Sequence, residues 1–191
     1  PIAVELSDMR PSLIPGLVMA AQRNADRGHP DVGLFEVGQI FKGDRPEDQL
    51  TAASGLRRAL AKPSGSGRFW SDKAGPVDAF DAKADAFAVL AAAGAPMQAL
   101  QVVPGGSSWL HPGRSGTIQI GSQNVLGHFG ELHPRAIAAL KAEYPDHAAA
   151  ANGIRSHLIG FYKDRQDASV EQAIAATTRL YTNNVFPSMK I

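Results

Sequence analysis

The stretch that decides the fold lies at residues 109–134 and reads WLHPGRSGTIQIGSQNVLGHFGELHP. Apolar and polar residues alternate from Thr117 to Ile120, a turn-forming Gly-Ser-Gln-Asn follows, and a second apolar run comes after it. This pattern predicts a β-hairpin, because strand side chains alternate between two faces and Gly and Asn favour tight turns. Gly127 and Gly130 fall in the second strand, where glycine usually marks a bulge or the close approach of another group.

Helices and strands are predicted on both sides of this hairpin. A proline in the first helical turn and a glycine after the last turn are typical helix boundaries, whereas β-branched and aromatic runs favour strands. The predicted elements are a helix from Pro15 to Arg27 that ends at Gly28, one long strand or a strand pair at Val32–Lys42, a strand at Gln49–Leu56, a helix capped by Asp78 or Asp81, a strand at Met97–Val103, and a helix from Pro134 through Ala142.

The second predicted helix has an alanine-rich sequence with a few large apolar residues. Helical spacing predicts that its buried stripe consists of Phe80, Ala84, Phe87, Leu90 and Ala91. Lys83 and Asp85 fall off that stripe. Asp81 and Asp85 are four residues apart, but capping and surface charge explain them better than a metal site, since neither lies beside a histidine or a third carboxylate.

Bulk properties exclude several classes of protein. The 191 residues fit one domain with a sizeable core, and a formal net charge of +1 gives no overall electrostatic case for nucleic acid or membrane. The absence of cysteine excludes a disulfide framework and fits a reducing compartment. No stretch approaches the roughly 20 apolar residues of a membrane span. We therefore expect a cytoplasmic protein, and a fragment of a longer chain, because the sequence opens on Pro1.

Five sequence blocks occur in an order and spacing that resemble a known family. They are MRPSLIPGL at 9–17, LFEVG at 34–38, FDAKAD at 80–85, WLHPGRSG at 109–116 and FGELHP at 129–134. Together they resemble the catalytic-like module near the C-terminus of the bacterial phenylalanyl-tRNA synthetase beta subunit. The resemblance covers residues 2 to 142. We therefore expect this module at 1–142 and an unassigned, divergent and helical tail at 143–191, with the sheet short of a strand.

The resemblance implies both a fold and a role. The fold is α+β, with an antiparallel sheet flanked by helices, and resembles the catalytic fold of class II aminoacyl-tRNA synthetases. The role is non-catalytic: the module performs no adenylation and supports assembly with the catalytic alpha subunit, within an enzyme that charges tRNA with phenylalanine. ATP and magnesium are then implied for the whole complex and for no site in this chain, and tRNA is a partner through the complex.

Three residues near the first predicted strand are candidate structural or interface positions. Arg10 and Glu36 lie in two of the blocks that carry the resemblance. The resemblance implies that the predicted strand at Val32–Lys42 is the counterpart of a strand that binds ATP and the amino acid in the catalytic subunit. Lys42 stands nearest to the arginine of that strand. Because only the planar guanidinium makes two parallel hydrogen bonds to a phosphate, a lysine indicates a degenerate ATP site.

The hairpin ends carry the remaining candidates. His111, Glu131 and His133 could bind zinc in a metal-dependent hydrolase, but they lack the two-histidine spacing of a helical zinc motif. Both histidines precede proline, which favours imidazoles that are bonded to the backbone at an element boundary. Arg114 is expected to form a structural ion pair with Glu131 across the hairpin.

Two further expectations concern surfaces. A free-standing RNA-binding module remains an alternative, because a basic stretch with adjoining aromatic residues can attract phosphates and stack on bases. Its candidate residues are Arg57, Arg58, Arg68 and Trp70. The predicted partner surface consists of the helix 15–27, with Leu17, Val18 and Met19 pointing in different directions, and the strand 127–131.

Overall fold

The computed structural model describes residues 9–59, 76–143 and 155–161. In this part of the chain, six antiparallel strands form one sheet in the order β1-β2-β6-β5-β4-β3. This is the α+β fold class expected from the sequence. In chain order the elements are α1 (Ile14–Asp26), β1 (Val32–Phe41), β2 (Gln49–Arg58), α2 (Ala79–Ala92), β3 (Leu100–Pro104), β4 (Leu110–Ile120), β5 (Asn124–Leu132), α3 (Pro134–Glu143) and β6 (Arg155–Phe161).

Strand β6 pairs with β2 on one side and with β5 on the other. The sequence predicted a helical tail at 143–191 and a sheet short of a strand, and both expectations are wrong at residues 155–161. A short apolar run does not reveal by its periodicity whether it forms a strand or a buried helix, and only the distant strands β2 and β5 decide. The remainder of the tail that was expected to be helical, residues 144–154 and 162–191, lies outside the described residues.

The two faces of the sheet follow from strand register. Leu34 pairs with Leu56, and both belong to the cluster around α1, whereas Val37 pairs with Ala53 in the cluster around α2. Neighbouring side chains of a strand alternate between faces, so residues 34 and 37 point to opposite sides. Helices α1 and α2 therefore cover opposite faces of one sheet.

Helix α1 packs its apolar residues onto β1 and β2. Proline stands in its first turn, and Gly28 follows its end with φ of +85°, a conformation that glycine adopts without strain. Leu17 and Val18 are both buried, and Met19 is half-buried. The expectation that these residues leave an apolar face for a partner is therefore wrong, because the helix turns its apolar residues toward the sheet.

Helix α2 begins with a capping box. The Asp78 side chain accepts hydrogen bonds from the Phe80 and Asp81 amides, and the Asp81 side chain accepts one from the Asp78 amide. The predicted stripe is wrong in phase, since Phe80 is 75% exposed. The buried positions are Ala82, Asp85, Ala86, Val89 and Leu90.

Asp85 is buried because it has a partner on the sheet. Arg57 of β2 donates from Nε and Nη2 to its two carboxylate oxygens, over 2.6 Å and 2.7 Å. Such a two-pronged contact satisfies a carboxylate that is otherwise costly to bury. The pair fixes α2 on its face of the sheet.

The hairpin β4–β5 forms as predicted, with its turn at 121–123. Strand β5 lies between β4 and β6, and Gly127, Phe129 and Gly130 are buried. Strand 127–131 is therefore part of the interior of the sheet and has no free edge, and its contact with a partner stays a prediction. In the described residues, no helix has the length and apolar character needed to cross a membrane.

Candidate functional site

Polar side chains collect on the face of the sheet that α1 covers. Glu36 pairs in register with Ser54, and His128 pairs with Thr117 on the other side of β6. Ser54 is fully buried, and Glu36, Thr117 and His128 are half-buried. A half-buried polar face on a sheet is a candidate functional site.

Arg10 reaches this face from the segment before α1. Its Nη1 forms a salt bridge with Glu36, and its Nε donates to the Gln39 carbonyl over 2.9 Å. A Cβ at Gly38 would lie 2.5 Å from Arg10 Nη2, so only glycine there lets the guanidinium rest on the strand. Arg10 and Glu36, separate candidates in the sequence, therefore form one contact in which each neutralises the other.

Lys42 is exposed just beyond the end of β1, where its amide donates to the Asp48 carbonyl over 2.9 Å. A magnesium-nucleotide site needs oxygen ligands for the metal and cations for the phosphates. Among the described residues, no group of three His, Cys, Asp or Glu could hold a metal, and Glu36 is bound by Arg10. The residues described on this face therefore do not fit ATP with magnesium.

His128 is the functional candidate that the sequence analysis missed. The Thr117 hydroxyl donates to the Gly105 carbonyl over 3.0 Å and lies 3.0 Å from His128 Nδ1. Because that hydroxyl has only one hydrogen, Nδ1 is the donor of the second bond and Nε2 is the acceptor atom. Burial, and secondarily the Lys42 charge, lower the pKa of His128 below 6.5. The register opposite Thr117 is the sequence signal that could have found it.

A large bulge separates this face from the base of the hairpin. Leu110 pairs with Leu132 and Ser115 pairs with Gly130, so residues 111–114 of β4 stand opposite residue 131 alone. The Ser115 hydroxyl donates to the His111 carbonyl over 2.7 Å and closes the bulge. Bulges of this kind re-aim side chains and are frequent beside functional sites.

The two candidate histidines lie together at this bulge. Their rings stack with centroids 6.4 Å apart. His111 Nδ1 accepts the Gly113 amide over 3.1 Å, and His133 Nδ1 accepts the Arg135 amide over 3.0 Å in the first turn of α3. Each imidazole is thus bonded to the backbone at an element boundary.

Arg114 and Glu131 form the ion pair that the sequence predicts. Arg114 Nε donates to Glu131 Oε2, and Nη2 lies 3.3 Å from Oε1. The Arg114 side chain is 53% exposed and that of Glu131 is 18% exposed. An ion pair this open to water stabilises the fold only slightly, so its main effect is to orient the two side chains.

Comparison with known families identifies the chain. The family model of the phenylalanyl tRNA synthetase beta chain CLM domain matches residues 1–150. The chain belongs to this family. The phenylalanine–tRNA ligase beta subunit of Bradyrhizobium diazoefficiens is 70% identical over 145 residues, and that of Rhodopseudomonas palustris is 67% identical over 146. Each alignment covers 76% of this chain and 18% of the relative, so the chain spans less than a fifth of these beta subunits.

A solved structure supports the fold of the beta chain CLM domain. PylSc of Desulfitobacterium hafniense, a pyrrolysyl tRNA synthetase, superposes with a TM-score of 0.50 at 16% sequence identity. The match covers 95% of this chain and 52% of that one. The CLM domain therefore has a class II synthetase-like fold, as the resemblance implied.

The geometry does not favour the metal-dependent hydrolase alternative in this CLM domain. Because backbone amides donate to Nδ1 of His111 and His133, each neutral ring carries its hydrogen on Nε2 and offers no lone pair there. Glu131 is bound by Arg114. The three residues therefore do not form a zinc site.

The RNA-binding alternative is also weakened, because one of its candidate arginines is already paired with a carboxylate. Arg57 is committed to Asp85, and Arg58 is half-buried. Arg68 and Trp70 lie outside the described residues. The described arginines of that set do not form an exposed basic stretch.

Proposed function

We propose that this chain is the catalytic-like part of a phenylalanine–tRNA ligase beta subunit and has no catalytic activity of its own. In this role it supports assembly with the catalytic alpha subunit, whose complex charges tRNA with phenylalanine in the cytoplasm. The match to the CLM family over residues 1–150 carries this proposal. We further propose that the module lies near the C-terminus of the full beta subunit and includes β6, with the tail beginning after Phe161.

The chemistry of the face under α1 supports a non-catalytic role. The complex requires ATP and magnesium, and we assign their sites to the alpha subunit. In this chain Glu36 is already paired with Arg10, and Lys42 is exposed at the end of β1. An arginine already paired with a carboxylate has little charge left for a phosphate. The isolated chain should therefore give no calorimetric signal with magnesium-ATP. A saturable signal at micromolar ATP contradicts this assignment.

The alpha subunit needs a surface to contact, and we propose the edge strand β3. The exposed large apolar side chains of the described residues include Met97, Val102 and Val103, all at this edge. A sheet edge offers unpaired backbone groups, and exposed apolar side chains beside it favour association. The alternative is that the remainder of the beta subunit covers this edge, and the test below distinguishes that contact from one with the alpha subunit.

Co-expression with a phenylalanyl-tRNA synthetase alpha subunit tests the proposal. Size-exclusion chromatography with light scattering should show the full-length beta subunit and alpha eluting together. Val102→Lys should weaken that co-elution, whereas Lys83→Ala, a change on α2, should leave it intact. A full-length beta subunit that stays apart from alpha contradicts the assembly role. Normal co-elution of Val102→Lys contradicts the assignment of the alpha contact to β3.

A further inference from the structure

The hairpin-base surface consists of His111, Arg114, His133 and Arg135, and the proposed assembly role does not use it. The bulge at residues 111–114 brings His111 beside His133 and Arg114 beside Glu131. Arg135 lies in the first turn of α3, where its amide donates to His133 Nδ1. Arg114 and Arg135 are exposed, and both imidazoles are half-buried. This surface therefore presents a group of nitrogen donors at one corner of the sheet.

The backbone fixes the direction of the two imidazole donors. Each Nδ1 accepts an amide hydrogen, so each neutral ring carries its own hydrogen on Nε2. Among the described residues, neither Nε2 has a hydrogen-bond partner. Two N–H groups of adjacent stacked rings are thus available as donors, without protonation of either ring.

The charges around these donors favour an anion. The Glu131 carboxylate is engaged by Arg114, and the Arg135 side chain forms no ion pair with any described residue. Arg114 and Glu131 therefore neutralise each other, and the groups left to bind a ligand are the Arg135 guanidinium and the two Nε2–H groups, which are donors only. Donors of this kind, without free acceptors, suit the oxygens of a phosphate better than a neutral ligand.

The surroundings favour an RNA backbone over a protein. A protein interface is usually built around aromatic or large apolar side chains. The exposed large apolar residues of the described chain are Met9, Phe80, Met97, Val102 and Val103, and none belongs to the hairpin-base surface. Contacts to RNA phosphates, by contrast, come from arginine and other side-chain donors and position the nucleic acid without reading its sequence.

We propose that the hairpin-base surface contacts phosphates of the tRNA backbone. This inference rests on the proposed role in a tRNA ligase, and it adds a direct RNA contact by this module. The contact is sequence-independent, and salt weakens it because cations released from the RNA oppose binding.

The test uses the assembled enzyme with a full-length beta subunit. Arg135→Ala removes one exposed cation and no folding contact, since the amide of residue 135 makes the bond to His133. We expect about a tenfold loss in tRNA affinity, as for one charged hydrogen bond, and a salt slope smaller by about 1. The control is Arg45→Ala, which removes another exposed arginine, from the β1–β2 loop.

A second variant removes the imidazole donors. In His111→Asn with His133→Asn, each Oδ1 can still accept the backbone amide, while the outward N–H is lost. We expect a further loss of tRNA affinity. Pyrophosphate exchange with ATP and phenylalanine, which needs no tRNA, should stay unchanged in all three variants.

The outcomes separate the two proposals. Unchanged tRNA affinity in an assembled Arg135→Ala enzyme that still exchanges pyrophosphate overturns the RNA contact alone. Loss of alpha co-elution in Arg135→Ala also overturns it, and assigns the surface to a protein partner. A wild-type beta subunit that never assembles with alpha overturns the assembly role, and the inference that rests on it falls as well.

Discussion

The two faces of the sheet use the same pair of side-chain types differently. On the α2 face, Arg57 and Asp85 are 18% and 7% exposed and connect a strand to a helix. On the α1 face, Arg10 and Glu36 are 45% and 33% exposed and connect the segment before α1 to strand β1. Burial rather than chemistry therefore decides what an arginine–carboxylate pair does: the first pair positions a helix, and the second occupies a polar surface.

The largest expected effect comes from breaking the buried pair. Asp85→Ala leaves the Arg57 charge without its carboxylate between α2 and the sheet, and we expect it to lower the free energy of unfolding by about 3 kcal/mol. Urea unfolding followed by circular dichroism measures this change. Arg114→Ala, which breaks the exposed pair with Glu131, is the matched control and should cost no more than about 1 kcal/mol.

A double variant sharpens this result. Arg57→Met with Asp85→Leu replaces both charges by apolar side chains, and we expect it to recover most of the loss, because no charge remains buried without a partner. If Asp85→Ala and Arg114→Ala cost the same, the contrast between buried and exposed pairs is wrong.

Local patterns made one part of this fold predictable from the sequence. The hairpin β4–β5 is defined by alternation and turn residues within 26 consecutive positions, and the cap of α2 by Asp78 and Asp81, three residues apart. The ion pair of Arg114 with Glu131 follows from the hairpin as well. Each of these features depends on residues that are neighbours in sequence or across one turn.

Distant partners decide the features that the sequence did not reveal. Helix α2 is rich in alanine on every side, so its apolar pattern does not fix which face is buried, and Arg57, 28 positions away, draws Asp85 inward. Strand β6 is recognisable only beside β2 and β5. His128 becomes a candidate only when Thr117 and Lys42 are placed near it.

The packing of the α2 face gives the next largest expected effect. A Cβ at Gly116 would lie 2.6 Å from Cζ of Phe129, which is buried in the cluster around α2. We expect Gly116→Ala to lower the free energy of unfolding by about 1–3 kcal/mol, because the ring must move within a filled core. Thermal unfolding measures this change. Gly16→Ala is the control, because a Cβ at Gly16 would lie 3.8 Å from Glu36 Oε2, an ordinary van der Waals distance.

On the α1 face, the corresponding glycine change should cost less. A Cβ at Gly38 displaces the end of the flexible Arg10 side chain from Glu36, so we expect Gly38→Ala to change the free energy of unfolding by less than about 1 kcal/mol. The Arg10 Nε–H resonance in NMR spectra should nonetheless shift, as its bond to the Gln39 carbonyl is lost. If the Arg10 Nε–H resonance does not shift, or if Gly38→Ala lowers the free energy of unfolding as much as Gly116→Ala, the proposed difference between the two faces is wrong.

The smallest expected effect is a pH dependence that belongs to the α1 face. Burial, and then the Lys42 charge, lower the pKa of His128 from 6.5 in the folded chain, while the unfolded chain keeps the ordinary value. The unfolded chain therefore binds more protons between the folded pKa and 6.5. It follows that the contribution of His128 to the free energy of unfolding is most favourable above pH 6.5 and falls as the pH drops through that window.

His128→Asn isolates this contribution. The asparagine amide can still donate to the Thr117 hydroxyl, but it does not titrate, so the variant should lose less stability than the wild type between pH 7.5 and pH 5.5. Urea unfolding at both pH values measures the difference between the two proteins. If the wild type and His128→Asn lose equal stability on acidification, the polar face does not hold His128 neutral. The two faces of the sheet would then differ only in how tightly they pack.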